Sequence, residues 1–149
     1  MAGDLKHSVA VWREGSVFEV TADSGQRLLA DGAAQAGQSP MEMLLTALAG
    51  CTGADVMDIL RKKRQDVTGL EVRVTGQRRE EHPRIYTDVE VLFIVTGRNI
   101  QPAAVSRAIE LSREKYCSVT AMFRGTATVT CRQEIRAVET EAAEAARSL

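Results

Sequence analysis

Apolar and polar residues alternate along most of this chain, and the alternation gives way twice to the wider spacing of helices. Over residues 7–14 and 16–21, Val9, Val11, Val17, Phe18 and Val20 mark two short strands around Glu14-Gly15, the pattern of a hairpin. Residues 27–30 suit a third short strand, and the Gly-, Ala- and Gln-rich stretch 31–38 reads as a loop. Residues 69–77 set Leu70, Val72 and Val74 against Glu71, Arg73 and Thr75, the period-2 signature of a half-buried strand. Ile85, Tyr86, Val89, Val91, Phe93 and Val95 continue it over 84–96 after the polar turn RREEHP, forming a second hairpin. Asn99 can cap a helix over 101–116, where Val105, Ala108, Ile109, Ser112 and Tyr116 recur at helical spacing and Pro102 falls in the first turn. Residues 126–135 alternate once more as a strand.

Between the hairpins lies the segment around which the rest is organised. Residues 39–64, SPMEMLLTALAGCTGADVMDILRKKR, read as one long helix. Ser39 serves as N-cap, Pro40 occupies the first helical position, and Glu42 completes a capping box. Arg61, Lys62, Lys63 and Arg64 suit the negative end of the helix dipole. Leu44, Leu45, Leu48, Val56, Met57 and Leu60 supply apolar surface, while Ala47, Ala49, Gly50, Thr52, Gly53 and Ala54 keep the middle thin. Two helical glycines cost roughly 1 kcal/mol each against alanine, so a close neighbour or a reachable thiol at Cys51 is expected there. The order of elements describes one α+β domain over 1–138 whose antiparallel sheet needs a cover, with the thin central helix either supplying it or packing against a second copy of itself; residues 139–149, rich in Ala and Glu, form a tail that is helical or frayed.

Length and charge narrow the function. A chain of 149 residues can bury a sizeable core without disulfides. Its net charge of −1 gives no electrostatic case for nucleic acid or an anionic membrane surface. No uninterrupted apolar run approaches the ~20 residues of a membrane span, and MAGDLKHSVAVW lacks the apolar core of a signal peptide. A cytoplasmic protein is expected. Cys51, Cys117 and Cys131 lack CxxC spacing and have only His7 and His82 to join them, so neither a metal nor a cofactor is expected.

Cys51 invites two readings. Unpaired cysteine is commonly a small core residue. A reactive thiol instead needs a positive neighbour or a donor network, and the local sequence offers neither: Cys51 lies beyond useful range of the helix dipole, and Asp55, one turn on, has the wrong charge if it faces the sulfur. Arg13, in the string Trp12-Arg13-Glu14-Gly15, is a basic residue that the fold can bring to it; alone it reads as a solvated strand-end arginine. Cys131, within the last strand, reads as core packing.

The segment SPMEMLLTALAGC at 39–51 and Tyr116-Cys117-Ser118-Val119 resemble the two cysteine signatures of the osmotically inducible protein C and organic hydroperoxide resistance (OsmC/Ohr) family. The two cysteines stand 66 residues apart, similar to the family's spacing, and the order of elements agrees over nearly the whole chain. The resemblance implies an intertwined homodimer with central helices back to back and a site at the subunit interface. It also implies a thiol peroxidase for organic hydroperoxides, with Cys51 resembling the peroxidatic cysteine, Cys117 the resolving one, and Arg13 the arginine that holds the thiolate; Arg27 competes for that role. An external dithiol, a lipoyl-bearing protein or a small thiol, would reduce the resulting disulfide. Leu44, Leu48, Met122 and Phe123 are candidate apolar walls.

One departure is local. In the hydroperoxide resistance branch a glutamate directly follows the helix-opening proline and pairs with the arginine; here Met41 stands there and Glu42 comes one place later. A one-residue shift rotates a helical side chain by about 100°, so Glu42 is weighed as a capping residue against a binding one. The chain is more similar to the OsmC-like branch whose helix opens P-x-E. Two other readings stay open: a non-catalytic dimer of the same fold acting as a ligand-binding or stress-related protein, and an unrelated small α+β binding module.

Overall fold

The computed structural model describes residues 3–138; the tail expectation for 139–149 lies outside them. The chain divides into two compact units that meet in sequence between Leu44 and Leu45, within the long helix.

The first unit is a three-stranded antiparallel meander. Strands β1 (Ser8–Glu14), β2 (Val17–Ala22) and β3 (Arg27–Asp31) lie in the order β1-β2-β3, with Trp12 opposite Phe18 and Val20 opposite Leu28. Gly15 turns the first hairpin at a positive φ of 51°, where glycine carries no Cβ penalty, and the Trp12 indole N–H donates to its carbonyl at 3.0 Å. Every residue of β1 is exposed. Asp31, expected as the start of a loop, is the polar centre of this unit and only 2% exposed. Its carboxylate accepts the Ser16 hydroxyl at 2.5 Å and the backbone N–H groups of Ala33, Gln35 and Ala36 at 2.9–3.1 Å, so the loop 32–36 is wound around one side chain. These donors, Ala36 foremost, hold its carboxyl well below the usual carboxylate range.

Helix α1 (Pro40–Lys62) opens in the first unit with the expected capping box: Glu42 Oε2 accepts the Ser39 N–H at 2.7 Å, and Ser39 Oγ accepts the Glu42 N–H at 3.2 Å. In the second unit its residues Leu48, Thr52, Val56 and Leu60, each four apart, form the buried face. A methyl group at Gly53 would stand 3.3 Å from Val72, and one at Gly76 would stand 3.0 Å from Leu45, so this face lies against the following strand. By length and composition α1 is also long and apolar enough to cross a bilayer, as buried core helices can be. The expectation that nothing in the chain approaches a span counted only unbroken apolar runs.

That strand, β4 (Asp66–Arg78), pairs antiparallel with β5 (Tyr86–Arg98), with Leu70 opposite Val95, Val72 opposite Phe93 and Val74 opposite Val91. As the middle strand of the order β4-β5-β6, β5 is the most buried element, with Tyr86, Val89, Val91, Phe93, Ile94 and Val95 in the core. Strand β6 (Thr128–Ala137) lies on its other side and runs parallel to it, Val91 pairing with Cys131. Here the expected antiparallel sheet is mixed. A parallel neighbour requires a long crossover, and residues 99–127 supply it.

That crossover differs from the single helix expected over 101–116. Helix α2 (Pro102–Leu111) passes into a π-helical turn at Ser112–Tyr116, closed by the Cys117 N–H donating to the Ser112 carbonyl at 2.8 Å, and a short α3 (Ser118–Phe123) follows. The residue before α2 is Gln101, whose side chain makes no capping bond; its N–H donates instead to Gln65 Oε1 at 2.9 Å. Asn99, expected as the cap, turns the chain at a positive φ of 50°, a conformation asparagine tolerates.

Candidate functional site

Cys51 lies at mid-length on α1, where Gly50 and Gly53 leave little side-chain bulk beside it. Cys117 lies at the junction of the π-helical turn and α3, in extended backbone, and caps α3 by accepting the Thr120 N–H on its Sγ at 3.3 Å. The fold brings these two together. The sulfurs of Cys51 and Cys117 and a carboxylate oxygen of Asp55 all lie within 4.8 Å of one another, and both thiols are free. Cys117 is buried and Cys51 half-buried.

Asp55 faces the sulfurs because it follows Cys51 by four residues, one turn further on the same helical face. Its carboxylate accepts the Ser112 hydroxyl at 2.9 Å, and Ser112 is only 1% exposed, fixed at the start of the π-helical turn. Burial, the Cys117 side chain and the negative charge of Asp55 push the Cys51 thiol up from its ordinary value of 9.0, and the Val119 backbone N–H draws it partly back. Within this unit, then, the thiol form of Cys51 is favoured. Two thiols and a carboxylate supply three donor atoms, one short of the four that close a structural zinc site. The sequence reading of the metal question weighed histidines beside the cysteines and left Asp55 out.

The remaining expected residues make contacts of their own. Arg13, on β1, donates from Nη2 to Glu19 Oε2 at 2.7 Å, and Arg27, on β3, reaches the other oxygen of Glu19 at 3.7 Å, so the two competing arginines grip one carboxylate within the first unit. Glu42 holds its own N-cap. Of the apolar walls, Leu48 and Phe123 are core residues, and Met122 is 80% exposed. Cys131 is half-buried, its thiol pushed up by burial, with Arg113 acting in the opposite direction. Asp55 and Ser112 are the residues that the sequence reading did not place in the site. Asp55 carried a signal in its i+4 spacing; Ser112 carried none beyond its place in a helical repeat.

Comparison with known proteins places the chain in a family. The family model described as OsmC-like protein matches residues 31–132. Protein YhfA of Escherichia coli K12 is 47% identical over 125 residues, 83% of this chain and 93% of its own length. A crystal structure of a hypothetical protein from Aquifex aeolicus superposes with a TM-score of 0.84 at 32% identity, covering 92% of this chain and all of that one. The organic hydroperoxide resistance protein OhrB of Bacillus subtilis shares the fold, with a TM-score of 0.59 at 18% identity over 88% of this chain and 98% of its own. A family match over residues 31–132 and a relative at 47% identity over 83% of the chain show that this protein belongs to the OsmC family.

Proposed function

We infer that the protein is a cysteine-based peroxidase that reduces organic hydroperoxides to alcohols. The observation that carries this reading is the approach of two free thiols, 66 residues apart in sequence, to within 4.8 Å. Cys51 sulfur attacks the distal peroxide oxygen, the O–O bond breaks, an alcohol leaves, and Cys51 becomes a sulfenic acid. Cys117 sulfur then displaces the hydroxyl as water and forms the Cys51–Cys117 disulfide. An external dithiol, from a lipoyl-bearing protein or a small thiol, restores both thiols by exchange.

Family members are typically dimers, and a homodimer suits this chain. Val9, Val11, Trp12, Leu28 and Leu29 all stand exposed in the first unit, Trp12 at 61%, a density of apolar surface that calls for cover. In the dimer Arg13 is assigned to the thiolate, which needs a positive neighbour to offset Asp55; ultraviolet titration of Cys51 in Arg13→Ala tests this, and an unchanged thiolate pKa removes Arg13 from the site. The cytoplasm, where thiols stay reduced, is the compartment that fits three unpaired cysteines.

The decisive experiment is intact-protein mass spectrometry before and after about one equivalent of cumene hydroperoxide, with peptide mapping. The expected result is loss of two hydrogens mapped to Cys51–Cys117, abolished in Cys51→Ser and replaced by sulfenic or higher oxides in Cys117→Ser. Cys51 left free after exposure refutes the reading. The second reading, a non-catalytic ligand-binding or stress-related dimer, is favoured by the negative charge beside Cys51 and by Met41 in place of the glutamate, and it is what remains in that event.

A further inference from the structure

A protonated Cys51 must give up its proton before its sulfur can attack a peroxide, and the departing alkoxide must gain one. The surroundings of Cys51 make the first of these hard, since burial, Cys117 and Asp55 all favour the thiol. A carboxylate is an unfavourable neighbour for a thiolate, yet a carboxylate oxygen of Asp55 lies within 4.8 Å of both sulfurs. It faces Cys51 from the next turn of α1, and the buried Ser112 fixes it from the segment that delivers Cys117.

Asp55 also has a second side. It lines a cavity of about 490 Å³ together with Asp58, Lys62, Lys63 and Tyr116, which is separate from the thiols. Lys62 is paired with Asp58 at 2.8 Å, and Tyr116 is exposed. The titratable groups facing Asp55 are thus Cys51 and Cys117 inside and Asp58, Lys62, Lys63 and Tyr116 on the cavity wall. A carboxylate between a buried and a half-buried thiol on one side and an open cavity on the other can exchange protons with solvent on one face and with sulfur on the other.

We propose that Asp55 is the proton carrier of the dithiol site and that Ser112 is its positioning residue. As Cys51 sulfur bonds to the distal oxygen of an organic hydroperoxide, its proton passes to Asp55, the O–O bond breaks, and Asp55 returns the proton to the alkoxide, which leaves as alcohol. In the second step Asp55 takes the Cys117 proton as the S–S bond forms and gives it to the departing hydroxide, which leaves as water. Neither step needs a reactant beyond the peroxide. The inference rests on the peroxidase reading above.

Charge and proton transfer predict opposite signs for one substitution. Asp55→Asn removes the negative charge, so the pH midpoint for iodoacetamide alkylation of Cys51 moves down. If Asp55 carries the proton, the same variant is oxidised by cumene hydroperoxide at pH 7 on the order of 100-fold more slowly than the wild type, with the difference closing as pH rises above the thiol midpoint. Asp55→Glu, which keeps a carboxylate, recovers part of the rate and guards against a folding defect, and Ser112→Ala gives an intermediate loss. Oxidation of Asp55→Asn at the wild-type rate or faster at pH 7 overturns the proposal and leaves the peroxidase reading standing. A wild-type protein whose Cys51 is alkylated but not oxidised by the peroxide overturns both, and the alkylation arm tells the two failures apart.

Discussion

The thin stretch of α1 gives the sharpest test of assembly. Gly50 is exposed, and a Cβ built there meets nothing within 4 Å in its own chain, whereas Gly53 faces Val72. Ala47 and Ala54 are exposed on either side of Gly50 at helical spacing. Gly50→Leu therefore adds a large side chain that its own protomer can accommodate. On a solvated helix face the substitution is favourable by roughly 0.8 kcal/mol, the difference in helix propensity, which for a chain of this size raises Tm by about 2–3 °C. In a dimer with central helices back to back, the same side chain is driven into the partner, and overpacking costs about 1–3 kcal/mol for each copy. The dimer then weakens instead of gaining. Sedimentation velocity over a concentration series, with thermal unfolding alongside, reads both quantities. The expected result is a dimer for the wild type and dissociation with a lowered, concentration-dependent Tm for Gly50→Leu. A variant that gains 2–3 °C with its association state unchanged would show that nothing packs on Gly50 and would refute the helix-to-helix dimer.

Three further outcomes are expected. Asp31→Asn should flatten the acid side of the stability curve: the folded carboxyl lies below its ordinary 3.8, so its contribution is present above that pH and is lost as pH falls toward the folded value; an unchanged acid slope by denaturant titration would mean that the loop 32–36 holds without it. Gly97→Ala should destabilise by about 1–3 kcal/mol or more, because the added methyl overlaps the Asp66 carbonyl oxygen and stands 2.7 Å from Ile100, and an unshifted denaturation midpoint would contradict the close approach. Glu42→Gln should keep both stability and peroxide oxidation, since glutamine also closes a capping box; loss of oxidation in a stable variant would give Glu42 a part in the chemistry.

Each of these tests turns on a feature that the sequence displays to a different degree. The strands and α1 were legible because burial imposes a period, and every second residue of β4 or every fourth of α1 must turn inward. Asp31 was not, because one carboxylate gathering three backbone N–H groups leaves no repeat, only an aspartate before glycine and alanine. The direction of β6 was hidden for a related reason: alternation is the same for parallel and antiparallel strands, and the crossover 99–127 decides between them. Asp55 stood in view at i+4 from Cys51, but whether that face met solvent or sulfur depends on what crosses it.

What crosses it is the π-helical turn. A π turn holds one residue more than an α-helical turn, and one residue is about 100° of rotation about the helix axis. Had α2 continued unbroken through Tyr116, Cys117 would leave the helix at a different angle, and Ser112 would not be closed by the Cys117 N–H. The same turn therefore sets the Ser112 hydroxyl on Asp55 and the Cys117 sulfur beside Cys51. Such turns cluster at functional sites because the regular helix is the more stable alternative. A carboxylate beside a thiol also runs against local preference, and it meets the π-helical turn at Cys51. That coincidence is an argument for chemistry at this site independent of any relative: a core cysteine packed for stability would need neither of them, whereas the close approach of Val72 accounts for Gly53 by packing alone.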